Sequence, residues 1–351
     1  MRELTYANAI LEATDYSLAE DESVIVVGLG VPDPKGIFGT TTGLQDKYGD
    51  HRIMDMPLAE NGMTGVITGA SLNGIRPILI HQRVEFALLS VEQIVNQAAK
   101  WFYMNAGQQS VPIVIRLIIG RGWGQGAQHS QSLESWFAHI PGLKVVMPSN
   151  PYDAKGLLIS SIEDNNPVIF LEHRWLHSTI DNVPSEGYRV PIGKARVVRE
   201  GKDLTIIAHS YMVIEAIRCA DVLIKEGISI EVLDLRSIRP IDTEAILNSV
   251  TKTHRLLVAD NGWTFCGVSS EIISIVTENI FDELASAPQR IGLNDSPSPS
   301  TRALANGFYP KDKSIAKISC EILNKKVNLD LLFPSSNSPE DVPDQFFYGP
   351  F

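Results

Sequence analysis

The chain has 351 residues, 44% hydrophobic and 20% charged, with 26 glycines, 20 prolines and a net charge of −11. This composition suits a globular α/β protein long enough for two separate cores, and the acidic balance excludes nucleic acid and anionic membrane as its main partners. No run of 18 apolar residues and no basic leader is visible, and Cys219, Cys266 and Cys320 lack metal spacing, so we expect a cytoplasmic chain with buried free thiols.

Residues 3–20 pattern as an amphipathic helix with Leu4, Ala7, Ile10 and Leu11 on one side. SVIVVGLGV (23–31) reads as a buried strand and PDPKGIFGTTTG (32–43) as a loop. The stretch 53–80 organises the rest. It is a short strand over 53–56, ended by Pro57, which has no N–H to donate, then a helix, then a strand over 77–80. Glu60 stands at the mouth of that helix, and Gly62, Gly65 and Gly69 leave one face nearly bare. A helix-interior glycine costs roughly 0.5–1 kcal/mol against alanine, so this face is expected to admit something flat or another backbone. Glu60 is then either an acid–base group or an acid that complements the helix dipole.

HQRVEFALL (81–89) leads into a helix over 91–104, and VPIVIRLII (111–119) is a fully buried strand that feeds the glycine loop GRGWGQG (120–126) and a further helix. A strand at 143–149, a helix over 150–164 and the strand PVIFLEH (167–173) follow. Continuous apolar strands alternating with helices mean a parallel sheet covered on both faces. Residues 176–203 read as an interdomain linker. A second α/β unit runs as strand 203–210, helix 212–227, strand 228–236, helix 242–253 and strand 255–260, with a Pro/Ser-rich loop at 296–312 and a helix over 313–325. Beyond residue 329 regular structure is poorly encoded, but Phe346, Phe347, Tyr348 and Phe351 are expected to pack on another surface.

The glycine loop at 120–126 is not a dinucleotide fingerprint, because its glycines fall at alternate positions and no matching acid follows on the next strand. His129, directly after it, is either a surface or capping histidine or a functional one. His129 and Ser130 are not a hydrolase pair, since adjacent residues do not present nucleophile and base to each other. Asp164, Asn165 and Asn166 offer oxygens to a hard cation or simply end a helix.

Taken together, RIMDMPLAENGMTG, VEQIVNQAAKWFYMNAGQ, VPIVIR, GAQHSQSLESWFAHIPGLKVVMPSNPYDAKGLL, DNNPVIFLEH, PIGKARVVREGKDLTII and LDLRSIRPID give the resemblance. The chain resembles, over roughly residues 3–325, the beta subunit of the thiamine-diphosphate-dependent decarboxylating component of 2-oxoacid dehydrogenases, in the transketolase-like superfamily. The resemblance implies two α/β domains with parallel or mixed sheets: a pyrimidine-binding domain (1–178), a linker (179–202), a transketolase C-terminal-like domain (203–328) and a tail (329–351). It puts the cofactor-activating glutamate at Glu60, a proton-sharing partner of pyrimidine N1′ for which an apolar enclosure is suited. It puts the stacking aromatic at Phe86, a cofactor contact at Leu58 and the histidine that handles the bound 2-oxoacid at His129. Ile113, Ser161, Asp164 and Asn166 match a monovalent-cation (K+) site of some members. No G-D-G motif with its following asparagine is present. The resemblance therefore implies a separate alpha-type subunit that holds Mg2+ and the diphosphate, in an α2β2 assembly.

Three departures are visible. Gly28-Leu29-Gly30-Val31 replaces an acidic family pattern, His81-Gln82-Arg83 replaces apolar residues and could place His81 and Arg83 near the substrate channel, and Ala285-Ser286-Ala287-Pro288 lacks the aspartate that helps dock a lipoyl acyltransferase. The expected function is 2-oxoacid decarboxylation with acyl transfer. The alternatives are a carboligase or split transketolase acting on an aldehyde, ketone or sugar, and a non-catalytic partner subunit.

Overall fold

The computed structural model describes residues 2–121, 124–333, 341–344 and 347. Its contacts divide the chain into two units. One is built from residues up to Gly120 and from Trp136–Ile192, the other from Arg121–Ser135 and the chain from Gly193 onward.

The first part of the chain runs β1 (Arg2–Thr5), α1 (Tyr6–Glu20), β2 (Val24–Gly28), α2 (Leu44–Tyr48), β3 (Ile53–Met54), α3 (Glu60–Ser71), β4 (Arg76–His81), α4 (Val84–Ala87), a π-helical stretch Gln93–Ala98 continuing into α5 (Ala99–Met104), β5 (Val114–Ile119), α6 (Glu134–Ala138), β6 (Lys144–Val146), α7 (Pro151–Glu163), β7 (Val168–His173) and β8 (Ile180–Val183). Six parallel strands of the first unit lie in the order β6-β7-β5-β4-β2-β3. Every residue of β5 and β7 is buried, as expected of strands covered on both faces. Asn150 caps α7 by accepting from the Asp153 N–H at 2.9 Å, Pro151 opens it, and α1 packs along it.

The second unit holds β9 (Arg196–Arg199), β10 (Leu204–Ala208), α8 (Tyr211–Leu223), β11 (Ile230–Asp234), β12 (Ser237–Arg239), α9 (Thr243–Thr253), β13 (Leu256–Trp263), α10 (Val268–Ile280), β14 (Gln289–Leu293), α11 (Arg302–Ala305), α12 (Asp312–Ile322) and α13 (Leu329–Leu332). Its sheet is mixed, in the order β14-β13-β10-β11-β9, with only β9 antiparallel to its neighbour. The core on one face is made of β10, β11 and β13 with α8 and α12, including Ile206, Val232, Leu257, Ala216 and Ile315.

The fold class expected from the sequence is the one observed: two α/β units, one parallel and one mixed. Several local expectations change. Residues 2–5 form a strand rather than the start of the helix, because they pair with β8 inside the stretch read as a linker. The buried side of α1 is Tyr6, Ala9, Ile10, Ala13 and Leu18, rotated from the expected face. Cys266 is exposed, while Cys219 and Cys320 are buried. Of the tail aromatics, Phe347 is half-buried; Phe346, Tyr348 and Phe351 lie outside the described residues, as do Gly122 and Trp123 of the glycine loop. No described helix is long and apolar enough to cross a membrane.

Candidate active site

Because the six strands of the first unit run parallel, the segments leaving their carboxyl ends share one edge of the sheet, the edge where open α/β sheets bind ligands. Glu60 follows β3, Arg83 and Phe86 follow β4, and Gly120 closes β5. Glu60 is the first residue of α3 and is buried, with 6% of its surface exposed. Among the described residues its carboxylate accepts no hydrogen bond, and no side chain caps the helix it opens. The exposed donors of the first turn favour a negative charge there. A buried carboxylate without a protein partner fits a donor supplied by a bound heterocycle.

The opposite face of α3, which carries the glycines, is open. A Cβ built at Gly62 or Gly69 meets nothing within 4 Å, whereas one at Gly65 would sit 3.2 Å from Gln93 Oε1. Leu58 and Val66 are 76% and 62% exposed. Phe86 is half-buried in α4, and the 3-10 turn Leu88–Ser90 that follows packs on α3. The structure therefore packs the helix that Glu60 opens against the turn that directly follows the helix of Phe86.

His81 and Arg83 do not line an open channel. Both are buried, and Arg83 donates to the Gly120 carbonyl at 2.9 Å while its guanidinium lies 5.8 Å from the Phe38 ring centre. Burial pushes His81 down to about 4 and Arg83 to about 10; burial and the repulsion of Arg83 bring Arg174 to about 9. Gly120 has φ +76°, and a Cβ there would strike His173 Nε2 at 2.3 Å, so a glycine is required at this exit from β5. Beneath lies a polar cluster the sequence reading missed. Arg116 on β5 donates to Glu172 on β7 at 2.6 and 3.0 Å and to Thr40 Oγ1 at 2.9 Å, and His177 Nε2 stands 3.5 Å from the same carboxylate. Burial raises Glu172, but Arg116 and His177 outweigh it and hold the carboxyl at about 2. Burial pushes His177 down to about 4 against the pull of Glu172.

The segment Arg121–Ser135, with His129, packs in the second unit. His129 lies in a turn rather than at a helix entrance, since α6 starts only at Glu134; its N–H donates to the Gly126 carbonyl at 3.3 Å. Glu134 belongs to a second unforeseen cluster: His209 Nε2 is 3.7 Å from Glu134 Oε1 and 3.5 Å from Asp260 Oδ1, all three being buried. Three ligand-type atoms within 4.8 Å of one another could share a cation or a proton. Burial opposes charge on His209, yet the two carboxylates outweigh it and raise its pKa above 6.5.

Ile113, Ser161, Asp164 and Asn166 gather around the end of α7. The Ile113 carbonyl accepts from the Val168 N–H at 2.9 Å, and the Ser161 hydroxyl donates to the Leu157 carbonyl at 2.6 Å. Asp164 Oδ1 accepts from the Asn166 N–H at 2.8 Å, and its other oxygen accepts from the Lys144 ammonium.

The model of the transketolase pyrimidine-binding domain matches residues 2–178, and that of the transketolase C-terminal domain matches residues 193–315. The chain is 41% identical over 331 residues to the mitochondrial pyruvate dehydrogenase E1 component subunit beta of Drosophila melanogaster, covering 93% of this chain and 91% of the relative. It is 42% identical over 318 residues to the same subunit of Mus musculus, covering 89% of each. It is 41% identical over 325 residues to acetoin:2,6-dichlorophenolindophenol oxidoreductase subunit beta of Cupriavidus necator, covering 90% of this chain and 96% of the relative. A solved split-gene transketolase, titled an inactive beta4 tetramer, superposes with a TM-score of 0.76 at 23% identity over 92% of this chain and 100% of that one, a likeness of fold. The expected cytoplasmic location is corrected by these findings: the fly and mouse relatives are named as mitochondrial proteins.

Proposed function

The chain belongs to the family of beta subunits of the pyruvate dehydrogenase E1 component, and on that premise we propose that it is the beta-type subunit of a two-chain, thiamine-diphosphate-dependent enzyme that decarboxylates a pyruvate-like 2-oxoacid. The observation that carries this reading is the buried carboxylate of Glu60 at the start of α3, which accepts no hydrogen bond among the described residues. Thiamine diphosphate, when bound, supplies the electron sink for the reaction. Glu60 would share a proton with pyrimidine N1′, and its burial would keep bulk water from that exchange. Phe86 offers a ring face for stacking and Leu58 an apolar contact. His129 binds the 2-oxoacid.

A separate alpha-type subunit completes the enzyme as a heterotetramer and holds Mg2+ with the diphosphate, since this chain carries no G-D-G motif. The exposed Leu58, Val66, Leu89, Tyr103 and Met104 are surface that a partner would cover. A potassium ion on oxygens of Ile113, Ser161, Asp164 and Asn166 belongs to the proposal; its removal is expected to lower the melting midpoint, and an unchanged midpoint removes it. Transfer to a lipoyl arm is the primary outcome. The acetoin-named relative motivates testing an α-hydroxyketone in parallel, as does Ala285-Ser286-Ala287-Pro288 in place of an acidic docking residue.

The test is Glu60→Gln in the assembled enzyme. Loss of one general acid–base group is expected to lower turnover about 10²–10⁴-fold, with assembly unchanged. Turnover equal to the unsubstituted enzyme would sink the assigned role.

A further inference from the structure

We infer that residues 341–344, beyond the matched C-terminal domain, are a positioning element for the segment that carries His129, with Asp341 as the residue that acts. Asp341 Oδ2 accepts from Arg121 Nη2 at 2.8 Å, and the two side chains are 2% and 0% exposed. Arg121 is the first residue of the segment Arg121–Ser135. Its guanidinium also donates to the carbonyls of Pro299 and of Ser300, the latter at 3.2 Å, and lies 5.7 Å from the Tyr309 ring centre. The turn it grips in turn holds the segment. Ser298 Oγ donates to the Ser130 carbonyl at 3.3 Å, and a Cβ at Gly126 would sit 2.4 Å from Ser300 Oγ, so the loop backbone lies directly against Ser300. His129 stands between those two contacts.

Residues 341–344 are themselves fastened. Val342 is buried, Lys311 Nζ donates to the Val342 carbonyl at 2.9 Å, and Arg218 Nη1 reaches the Pro343 carbonyl at 3.5 Å. The match to the transketolase C-terminal domain ends at residue 315, so Lys311 and Arg218 lie within it and the residues they hold lie beyond it. Among these contacts only Asp341 brings the buried Arg121 guanidinium a full negative charge, which is what keeps a desolvated cation in place. Without that charge the guanidinium turns toward water, the carbonyls of Pro299 and Ser300 lose their donor, and the turn that brackets His129 loosens.

This rests on the reading of His129 as a substrate-binding residue, and the test separates the two. Asp341→Ala and the isosteric Asp341→Asn would be compared in the assembled enzyme, with Lys313→Ala, which breaks a surface ion pair with Asp330, as control. Hydrogen–deuterium exchange of residues 124–133 is expected to quicken at least about tenfold in both Asp341 variants, with residues 204–208 unchanged, and Asp341→Glu is expected to restore part of the protection. The value of kcat/KM for the 2-oxoacid is expected to fall about 10–100-fold, as for a displaced binding group, with thiamine diphosphate affinity retained. Faster exchange with unaltered kcat/KM would uphold the positioning role and remove His129 from the substrate site. Unchanged exchange at 124–133 would overturn the inference whatever the kinetics.

Discussion

Glu172→Gln is the sharpest structural perturbation available in the first unit. It removes the charge that Arg116 faces across β5 and β7 while keeping the side chain's size. Both partners are wholly buried, the contacts are 2.6 and 3.0 Å, and the remaining acceptor for Arg116 is the neutral hydroxyl of Thr40 at 2.9 Å. Removing one member of a buried pair costs about 3–5 kcal/mol, because the other charge stays desolvated. For a unit of this size each kcal/mol moves the melting midpoint by roughly 2–4 °C, so a fall of roughly 6–20 °C is expected. Differential scanning calorimetry and urea titration of the assembled enzyme give the number. The double variant Arg116→Met with Glu172→Met should recover most of the loss, since apolar side chains of similar volume carry no desolvation cost. A loss under about 1 kcal/mol for Glu172→Gln, or a double variant no better than the single one, would refute the reasoning.

Acid should weaken the same region before that carboxyl titrates. The folded-state values of His81 and His177 lie at about 4 against 6.5 unfolded, so their contribution is full above 6.5 and is lost as pH falls toward 4, by about 3 kcal/mol each. His81→Asn combined with His177→Asn should flatten the pH–stability curve in that window; a curve as steep as before would count against buried neutral imidazoles. His209 behaves oppositely. Its raised folded value gives stability that is fully present below 6.5 and is lost as pH rises through that value, so His209→Gln should flatten the curve on the alkaline side, as read by urea titration from pH 6 upward.

The six strands of the first sheet and β10, β11 and β13 of the second were legible from their apolar runs, whereas β9, inside the stretch read as a linker, and β14 were not read. The place of Glu60 at the start of a glycine-bearing helix was legible, while its role rests on the resemblance and stays a proposal. Less legible were single charges set in apolar strands. Arg116 in VPIVIRLII and Glu172 in PVIFLEH each stand alone among hydrophobic neighbours, and a lone charge in a buried strand demands a partner; pairing them was possible, though their register was not. His209 at the end of DLTIIAHS and Asp260 at the end of RLLVAD carry the same signal at strand ends. The burial of His81 and Arg83 was missed because polar residues in place of apolar ones after a strand read as channel lining, whereas both are buried and Arg83 reaches the Gly120 carbonyl and the Phe38 ring. The β1–β8 pair was missed because RELT and IDNV expose half their residues and lack an apolar run. The grip of Asp341 on Arg121 spans 220 residues, and no local pattern encodes such a contact.

The central claim is tested most directly by release of CO2 from a 2-oxoacid, measured for this chain alone, for the alpha-type subunit alone and for the two assembled with thiamine diphosphate and Mg2+. The account predicts release only by the assembled pair, and its loss when Glu60 is replaced by glutamine. Release by the alpha-type subunit alone, or no dependence on Glu60 in the assembled pair, would contradict it.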